Sequence, residues 1–595
     1  MADARTDESG EQPPIPTLED LQHWTWVMGR AQQMMLEYIA AQGPEQAARG
    51  LMEFARTMSG GTGALGDPAA LIRQQTELWT QGLAIWQRAI CGVEAPQARE
   101  LAERADRDRR FADRAWRENP LFDTVRQTYL LVSERLLGSV EEAEGIDETT
   151  RDKLRFLTRT FVDAMAPSNF ALTNPQVLER AIETKGESLL TGLEHMLHDL
   201  SRGQLTHTDP EAFEVGRNLA TTPGKVIAQT GLWQLIQYAP ATGEVLETPL
   251  LILPPWINRY YILDLNPKKS FIKWAVEQGL TVFVVSWKSA DENLADLTID
   301  DYFLAEIEAI DTVREALGEP SVHVIGYCVA GTMLAAALAL LAARGEADKV
   351  ASATFFTAQI DFTEAGDLRF FLGEEQMEVI RRLAEDKGYL DGRYMAATFN
   401  LLRGRDLIWN YVTSNYLLGE DYPQFDLLHW NGDTTNLPAR WHRDYLNFFY
   451  RENRLAQPGA LAIDGTPIDL RRIETPAYVQ AGREDHIAPP QSVWKITHHL
   501  SGPVRFVLAG SGHIAGVVNP PEARKYQYWT CEEKAETLET FLEHAKETPG
   551  SWWPDWRAWI ERHGAKRVPA KGARVPGKGR LKAIEDAPGS YVKAR

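Results

Sequence analysis

One segment constrains the fold more than any other: residues 322–341, with the sequence VHVIGYCVAGTMLAAALALL. It begins as a short apolar run rich in β-branched residues, breaks at Gly326, and continues with the alanine and leucine content of a helix. A strand that turns sharply into a helix leaves one residue at the apex, here Cys328. The letters GYCVAG are close to the G-x-S-x-G nucleophile elbow, with cysteine for serine and Ala330 for the second glycine. The alternative interpretation is a buried, inert cysteine.

The composition narrows the class of protein. A chain of 595 residues is too long for one core, so we expect two or more domains. The cysteines are Cys91, Cys328 and Cys531, widely separated and without a C-x-x-C pair. This spacing argues against a metal site or a disulfide framework and favours a reducing compartment. The net charge of −20 opposes nucleic-acid binding.

The first residues and the lengths of the apolar runs predict that the chain does not insert into a membrane. The first residues, MADARTDESGEQPP, are polar and acidic, without the basic and apolar regions of a signal peptide. The longest apolar run follows Cys328 and is too short to span a bilayer. We therefore predict no transmembrane segment.

Hydrophobic periodicity and composition change along the chain and predict three regions. Residues 1–200 form a helical N-terminal domain whose first 16 residues are expected to be disordered. Within it, residues 61–66 match G-x-G-x-x-G but follow a helix-like segment instead of a strand, so they are interpreted as a linker. Residues 201–560 form an α/β catalytic domain, and residues 361–474 are a cap or lid inserted in it. Residues 561–595 are a basic, Gly/Pro-rich tail.

Apolar runs in the α/β region predict a mostly parallel sheet buried on both faces. The candidate strands are Leu232–Tyr238, Thr248–Leu253, Thr281–Trp287, Val322–Tyr327, Ala353–Thr357, Thr475–Gln480 and Val504–Leu508.

The end of the chain combines tryptophans with basic residues. Four tryptophans recur at near-helical spacing: Trp552, Trp553, Trp556 and Trp559. From Trp556 onward the chain contains eleven basic residues and three acidic ones. We favour a tryptophan stripe packed on the catalytic domain and followed by a solvated tail. A dedicated interaction surface is the alternative.

A nucleophile on an elbow requires a base and a carboxylate that orients the base, and these follow it in the order Asp, then His. Asp485 lies just past one predicted strand and His513 just past the next, where open α/β sheets place their sites. The predicted triad is therefore Cys328, His513 and Asp485. The competitors are His486, which precedes the last strand, His323, which we expect to be packed in the elbow strand, and Asp361, at an alternative acid position.

A tetrahedral intermediate requires backbone donors for its oxyanion. One is predicted to be the N–H of Val329, next to the nucleophile. The other is expected in the loop PPWINR, where the prolines lack an N–H and Ile257 is favoured over Trp256 and Asn258.

A cysteine nucleophile favours acyl transfer from a thioester. A thiolate that attacks a thioester forms an acyl-enzyme that is itself an activated thioester and can acylate an alcohol. Cysteine hydrolases remain the alternative.

Six stretches of sequence carry a resemblance to a known family, and together they extend through most of residues 201–560. They are PPWINRYYILDL, VFVVSWKSAD, GYCVAGT, AGREDHIAPP, GSGHIAGVVNPP and GSWWPDW. On them the chain resembles the poly(3-hydroxyalkanoate) synthases, in particular class I members that act on short hydroxyacyl-CoA. The resemblance implies an α/β-hydrolase fold, with Cys328 carrying the growing polyester and His513 as general base. It also implies a homodimer at the surface of cytoplasmic polyester granules, with no metal or prosthetic group and with coenzyme A entering only as part of the substrate.

The resemblance leaves two questions open. A thioesterase or polyester depolymerase on the same fold is the alternative function. Asp485 either orients His513 or activates the 3-hydroxyl of an acyl group. The second role is favoured, because a thiol ionises more readily than an alcohol and depends less on a third triad member.

Overall fold

The computed structural model describes residues 30–34, 37, 108–143 and 145–594. The predicted disorder of residues 1–16 and the predicted linker at residues 61–66 lie outside these ranges. The chain divides into two compact units. The first comprises Met1–Thr206 with Arg403–Tyr422, and the second comprises His207–Leu402 with Pro423–Arg595. Residues 403–422 were expected in the cap, but the structure groups them with the N-terminal helices.

The first unit is helical where it is described. Its α-helices are α1 (Ala115–Glu118), α2 (Pro120–Glu141), α3 (Glu148–Ala164), α4 (Pro175–Glu183) and α5 (Glu187–Arg202). The side chains of Asn119, Asp147 and Asn174 cap α2, α3 and α4, because each accepts a hydrogen bond from a first-turn N–H. Residues 403–422 pack on α5: the Tyr416 hydroxyl donates to Asp199 at 2.7 Å.

The second unit contains the strands and the remaining helices. Its strands are β1 (Gly224–Gln229), β2 (Trp233–Tyr238), β3 (Glu244–Leu246), β4 (Leu250–Leu253), β5 (Asp264–Asn266), β6 (Lys269–Ser270), β7 (Val282–Trp287), β8 (Val322–Tyr327), β9 (Val350–Phe356), β10 (Tyr389–Leu390), β11 (Leu437–Pro438), β12 (Ala462–Ile463), β13 (Thr466–Pro467), β14 (Ala477–Gly482), β15 (Val504–Ala509), β16 (Gln527–Thr530), β17 (Lys546–Pro549), β18 (Arg567–Pro569) and β19 (Glu585–Asp586). Its helices are α6 (Phe271–Glu277), α7 (Ile299–Leu317), α8 (Val329–Ala343), α9 (Glu374–Glu385), α10 (Gly392–Leu402), α11 (Asp426–Gly432), α12 (Ala439–Tyr445), α13 (Pro490–Trp494), α14 (Ile496–His499), α15 (Leu538–His544) and α16 (Trp553–Glu561).

A single 11-stranded sheet organises this unit, in the order β17-β16-β15-β14-β9-β8-β4-β7-β2-β1-β19. The strands from β7 to β15 in that order pair in parallel, and antiparallel strands extend both edges. All the strands expected from apolar runs are present, but the expectation of a mostly parallel sheet is corrected: β2 pairs antiparallel with β7, and with the added edge strands the sheet is mixed. The parallel strands are fully or almost fully buried because apolar side chains cover both faces.

Each sheet face supports its own part of the core. On one face, α7 and α8 pack against alternate residues of β4, β7, β8 and β9. On the other face, α6 and α16 cover the intervening residues. Since α8 directly follows β8, this packing fixes the turn between them.

The tryptophan stripe packs on the catalytic unit, as expected. Trp552, Trp553 and Trp556 are fully buried, and their indole N–H groups donate to Gly516, Val517 and Thr354 at 2.7–3.0 Å.

The tail is not a solvated extension, which corrects that expectation. Its β18 pairs with β3, and its β19 pairs with the edge strand β1. Arg574 and Val592 are buried. Side chains of the tail thus contribute to the second unit although its composition is polar.

Candidate active site

Cys328 occupies the apex between β8 and α8. Its backbone has φ +53° and ψ −124°, a conformation that non-glycine residues rarely adopt. Its N–H donates to the carbonyl of Phe356 at 2.9 Å, and its carbonyl accepts from the N–H of Gly331 at 2.9 Å. These bonds hold the strained turn, so the cysteine side chain projects from a fixed position.

Close packing around the elbow explains its small residues. A Cβ atom at Gly326 would lie 2.6 Å from the Cα atom of Gly331, and one at Gly331 would lie 2.5 Å from the Cβ atom of Ala358. Ala330 is fully buried in the core beneath the sheet. Glycine is therefore required at residue 331, and the alanine at residue 330 is accommodated.

His513 and Asp485 meet beyond the carboxyl ends of β15 and β14. The Nδ1 atom of His513 lies 2.7 Å from the Oδ2 atom of Asp485. The other carboxylate oxygen, Oδ1, accepts the backbone N–H groups of Ile487 and Ala488 at 2.8 and 2.9 Å. The Asp485 side chain has 0% exposed surface. Both carboxylate oxygens are therefore engaged inside the protein.

The electrostatic environment of His513 links it to Cys328. Burial lowers the pKa of its imidazole, but the Asp485 carboxylate, the Cys328 sulfur and hydrogen bonds to both groups raise this pKa to about 10. A hydrogen bond from the buried Tyr327 hydroxyl to the His513 carbonyl, at 3.0 Å, fixes the loop. The structure thus brings the predicted triad together and favours a protonated imidazole beside the sulfur.

The competing residues have other contacts. Asp361 accepts hydrogen bonds from Thr363 and Asn453 and lies 3.3 Å from His499. His323 is buried within β8, where its Nδ1 atom lies 2.8 Å from the Ser352 hydroxyl. Neither residue is hydrogen-bonded to the triad. His486 is adjacent to Asp485 and half-buried, but the imidazole bonded to Asp485 belongs to His513.

Both predicted oxyanion donors lie at the same cavity as Cys328. Val329 is the first residue of α8, where a backbone N–H has no intrahelical acceptor. Ile257 lines the cavity wall together with Val329 and Cys328. Its neighbour Trp256 instead packs among Trp287, Tyr302 and Trp441. This arrangement is consistent with the preference for Ile257.

The loop that carries Ile257 is anchored on both sides. Trp287 donates its indole N–H to the Pro254 carbonyl at 2.8 Å. Arg259 forms a buried ion pair with Asp433 at 3.0 Å and donates to the Ala594 carbonyl at 2.7 Å. The cap insertion and the tail thus both fix the backbone near the cavity.

The cavity at Cys328 comprises about 770 Å³ of empty space, part of which is open to solvent. Its wall is mainly apolar, and Leu368, Leu372, Met395, Phe399 and Leu446 of the cap insertion contribute to it. An apolar site suits an uncharged acyl chain and disfavours water next to the reacting groups.

Sequence reasoning missed the polar residues of this wall: Thr332, Thr357, Gln359, Thr398, His442, Tyr445 and Tyr450. Burial raises the pKa of the Tyr445 and Tyr450 hydroxyls, and burial lowers the pKa of His442 to about 4. These side chains are neutral at pH 7. No motif marks them, although an aromatic-rich insertion signalled a cap.

Across the described ranges, no group of three or more His, Cys, Asp or Glu side chains is arranged to hold a metal ion. No helix in the described part of the chain has the length and apolar character needed to cross a bilayer.

Comparison with known proteins gives the family. The family model for the poly-beta-hydroxybutyrate polymerase (PhaC) N-terminus matches residues 107–275, and that for the alpha/beta hydrolase fold matches residues 275–520. Among solved structures, a hydrolase from Oleispira antarctica is 15% identical with a TM-score of 0.30, covering 48% of this chain and 88% of its own. The α/β-hydrolase assignment therefore rests on the family model and the observed sheet.

Curated relatives match most of the chain. The poly(3-hydroxyalkanoate) polymerase subunit PhaC of Rhizobium meliloti is 46% identical, over 89% of this chain and 87% of the relative. The poly(3-hydroxyalkanoate) polymerase of Methylorubrum extorquens is 44% identical over 89% and 88%, and the PhaC subunit of Cupriavidus necator is 45% identical over 82% and 83%. With this identity and coverage, the chain belongs to the poly(3-hydroxyalkanoate) polymerases, which are acyltransferases.

Proposed function

We propose that this enzyme polymerises (R)-3-hydroxyacyl-CoA, with release of coenzyme A, while the growing chain is bound to Cys328 as a thioester. The observation that carries the proposal is the strained Cys328 beside the buried His513–Asp485 pair, at the wall of an apolar cavity. A thioester on sulfur retains the activation needed for transfer to an alcohol.

The first half-reaction loads the enzyme. His513 holds the proton of the Cys328 thiol as an imidazolium, and the thiolate attacks the thioester carbonyl of the substrate. The N–H groups of Val329 and Ile257 stabilise the oxyanion of the tetrahedral intermediate. The carbon–sulfur bond to coenzyme A then breaks, and the coenzyme A thiolate leaves with the proton from His513.

The second half-reaction extends the chain. The 3-hydroxyl of an incoming 3-hydroxyacyl-CoA loses its proton to His513 and attacks the thioester on Cys328. The oxoester bond forms as the carbon–sulfur bond to Cys328 breaks, which frees the Cys328 thiolate and leaves the lengthened chain on coenzyme A. The thiolate then takes the chain back by the loading step, and coenzyme A leaves with the proton from His513. The apolar wall of the cavity supports transfer over hydrolysis, because it limits the water that competes with the hydroxyl.

The contacts of Asp485 support an orienting role. One oxygen holds Nδ1 of His513 and the other is held by two backbone N–H groups, which leaves the carboxylate behind the imidazole. A group that accepted the proton of a 3-hydroxyl directly would need an oxygen facing the substrate. We therefore propose that Asp485 acts through His513, in contrast to the hydroxyl activation favoured from the sequence.

The wider context is proposed from the family. We expect short hydroxyacyl groups such as 3-hydroxybutyryl, as in the class I synthases that the sequence resembles. We further propose a homodimer in the cytoplasm at the surface of polyester granules, and a reaction that uses no cofactor beyond the coenzyme A of its substrate.

The test is incubation with 3-hydroxybutyryl-CoA while thiol release and turbidity are followed together. We expect release of coenzyme A with formation of insoluble polymer. Release of coenzyme A with soluble 3-hydroxybutyrate alone would instead identify a thioesterase. The Cys328→Ala variant is the matched control and should do neither.

A further inference from the structure

A second, larger concavity adjoins the Cys328 cavity. It comprises about 1100 Å³ of empty space, part of it open solvent, and lies between α9 and α12. We call it the arginine groove, because its charged lining consists of Arg381, Arg440 and Arg443 with the single carboxylate of Glu385. All four of these charged residues are exposed.

The groove and the cavity share part of their wall. Ile380 of α9 and His442 of α12 line both spaces. The two spaces therefore meet at these side chains, between two helices of the cap insertion. His442 is 3% exposed, and burial lowers its pKa to about 4, so its imidazole ring is neutral at pH 7.

Helical spacing separates the two sides of α12. Arg440 and Arg443 are three residues apart and lie on the groove side, whereas Tyr445 lines the inner cavity. On α9, Met377, Arg381 and Ala384 likewise share the groove face. The groove thus has a charged lining on the exposed side of the two helices, and the adjoining cavity has an apolar one.

The arginines of the groove differ in whether an acidic side chain pairs with their guanidinium group. Arg381 forms ion pairs with Glu378 and Glu385 at 2.8 and 3.0 Å, and Arg443 pairs with Asp444 at 2.9 Å. For Arg440, no acidic partner is present among the described residues. Its guanidinium is therefore available to an anionic ligand.

Guanidinium groups favour phosphate, because their planar N–H donors match its oxygens. Acyl-CoA carries its phosphates at the nucleotide end and its thioester at the end of a long uncharged arm. A neutral polyester chain offers only uncharged ester oxygens, which bind guanidinium more weakly than phosphate does. On a protein with a net charge of −20, a local cationic site also reduces the repulsion of an anionic substrate.

We propose that the arginine groove binds the phosphorylated nucleotide end of the acyl-CoA substrate, with Arg440 contacting phosphate, while the uncharged arm passes between Ile380 and His442 to Cys328. This inference rests on the proposed function, since it takes acyl-CoA as the substrate.

The experiment compares two thioesters of the same acyl group. One is 3-hydroxybutyryl-CoA, and the other is the 3-hydroxybutyryl thioester of N-acetylcysteamine, which lacks the nucleotide and its phosphates. Initial thiol release gives the ratio of kcat/KM for the first substrate to kcat/KM for the second. For Arg440→Gln we expect this ratio to fall about tenfold, the effect of losing one charge-assisted contact.

Arg382→Gln is the matched control. Arg382 is on α9 and is 72% exposed, but it lines neither the groove nor the cavity, so we expect the ratio to stay at its wild-type value. Arg440→Lys should recover part of the ratio, because it restores the charge without the planar fork. Raising the ionic strength should lower the ratio more in the wild type than in Arg440→Gln.

An unchanged ratio in Arg440→Gln would overturn the proposal, and so would an equal fall in Arg382→Gln. Equal losses with both thioesters also leave the ratio unchanged and would instead assign the groove to a later step, such as passage of the polymer. If the wild type released only soluble hydroxy acid, the proposed polymerisation would fail, yet the ratio would still measure phosphate binding. The two failures are therefore distinguishable.

Discussion

Asp485→Asn is the substitution that best separates the two roles considered for this carboxylate. Asparagine has nearly the same shape, and its oxygen can still accept the N–H groups of Ile487 and Ala488. Its NH2 group then faces Nδ1 of His513 in place of Oδ2. Because an amide NH2 can only donate, it favours the tautomer with the proton on Nε2, which cannot take a proton from Cys328.

The size of the effect follows from the hydrogen bond that is lost. A hydrogen bond to a charged group contributes about 1.5–3 kcal/mol, and at a fully buried carboxylate little of this is screened. A loss of that size in the transition state slows a step about 10- to 150-fold. Since loading and extension use the same imidazole, both steps should slow by similar factors.

The assay compares the burst of coenzyme A released per enzyme with the steady rate that follows. We expect the burst and the steady phase to slow together in Asp485→Asn. A normal burst followed by a collapsed steady rate would refute this reasoning and assign Asp485 to the 3-hydroxyl. Asp361→Asn is the control, because Asp361 is a partly buried carboxylate near His499 that is not bonded to the triad, and its kinetics should match the wild type.

Two further predictions concern the sulfur and the imidazole. Cys328→Ser should release coenzyme A at least several hundredfold more slowly, because a hydroxyl is harder to ionise and a serine ester is less activated; a variant within about tenfold of the wild type would contradict this account. The pKa of His513 is about 10 in the folded protein against an ordinary 6.5, so its stabilising effect is complete below about pH 6.5 and is lost as the pH rises through about 10. The urea midpoint of the wild type should fall over this range more than that of His513→Gln, and identical pH profiles would exclude the interaction.

Local sequence was sufficient for the elements that make the site. The elbow was predictable because Gly326, Cys328 and Gly331 lie within one short strand–turn–helix segment. Asp485 and His513 were predictable because parallel strands bring their carboxyl ends to one edge.

What the sequence did not reveal depends on contacts between distant segments. Residues 403–422 join the first unit through bonds such as that between Tyr416 and Asp199. The polar tail packs on the second unit because β19 pairs antiparallel with β1, and because Arg259 donates a hydrogen bond to the Ala594 carbonyl. The second oxygen of Asp485 is held by backbone N–H groups that carry no side-chain signature, which is why its role could not be decided from the residues alone.

The central claim is that Cys328 carries the growing chain. The most direct test is the intact mass of the enzyme after a single turnover with 3-hydroxybutyryl-CoA, followed by peptide mapping of the modified site. We expect an increase by the mass of hydroxybutyryl groups on the peptide that contains Cys328, removed by hydroxylamine and absent from Cys328→Ala. Polymer formation by Cys328→Ala, or an adduct on any other residue that turns over at the rate of catalysis, would contradict the account.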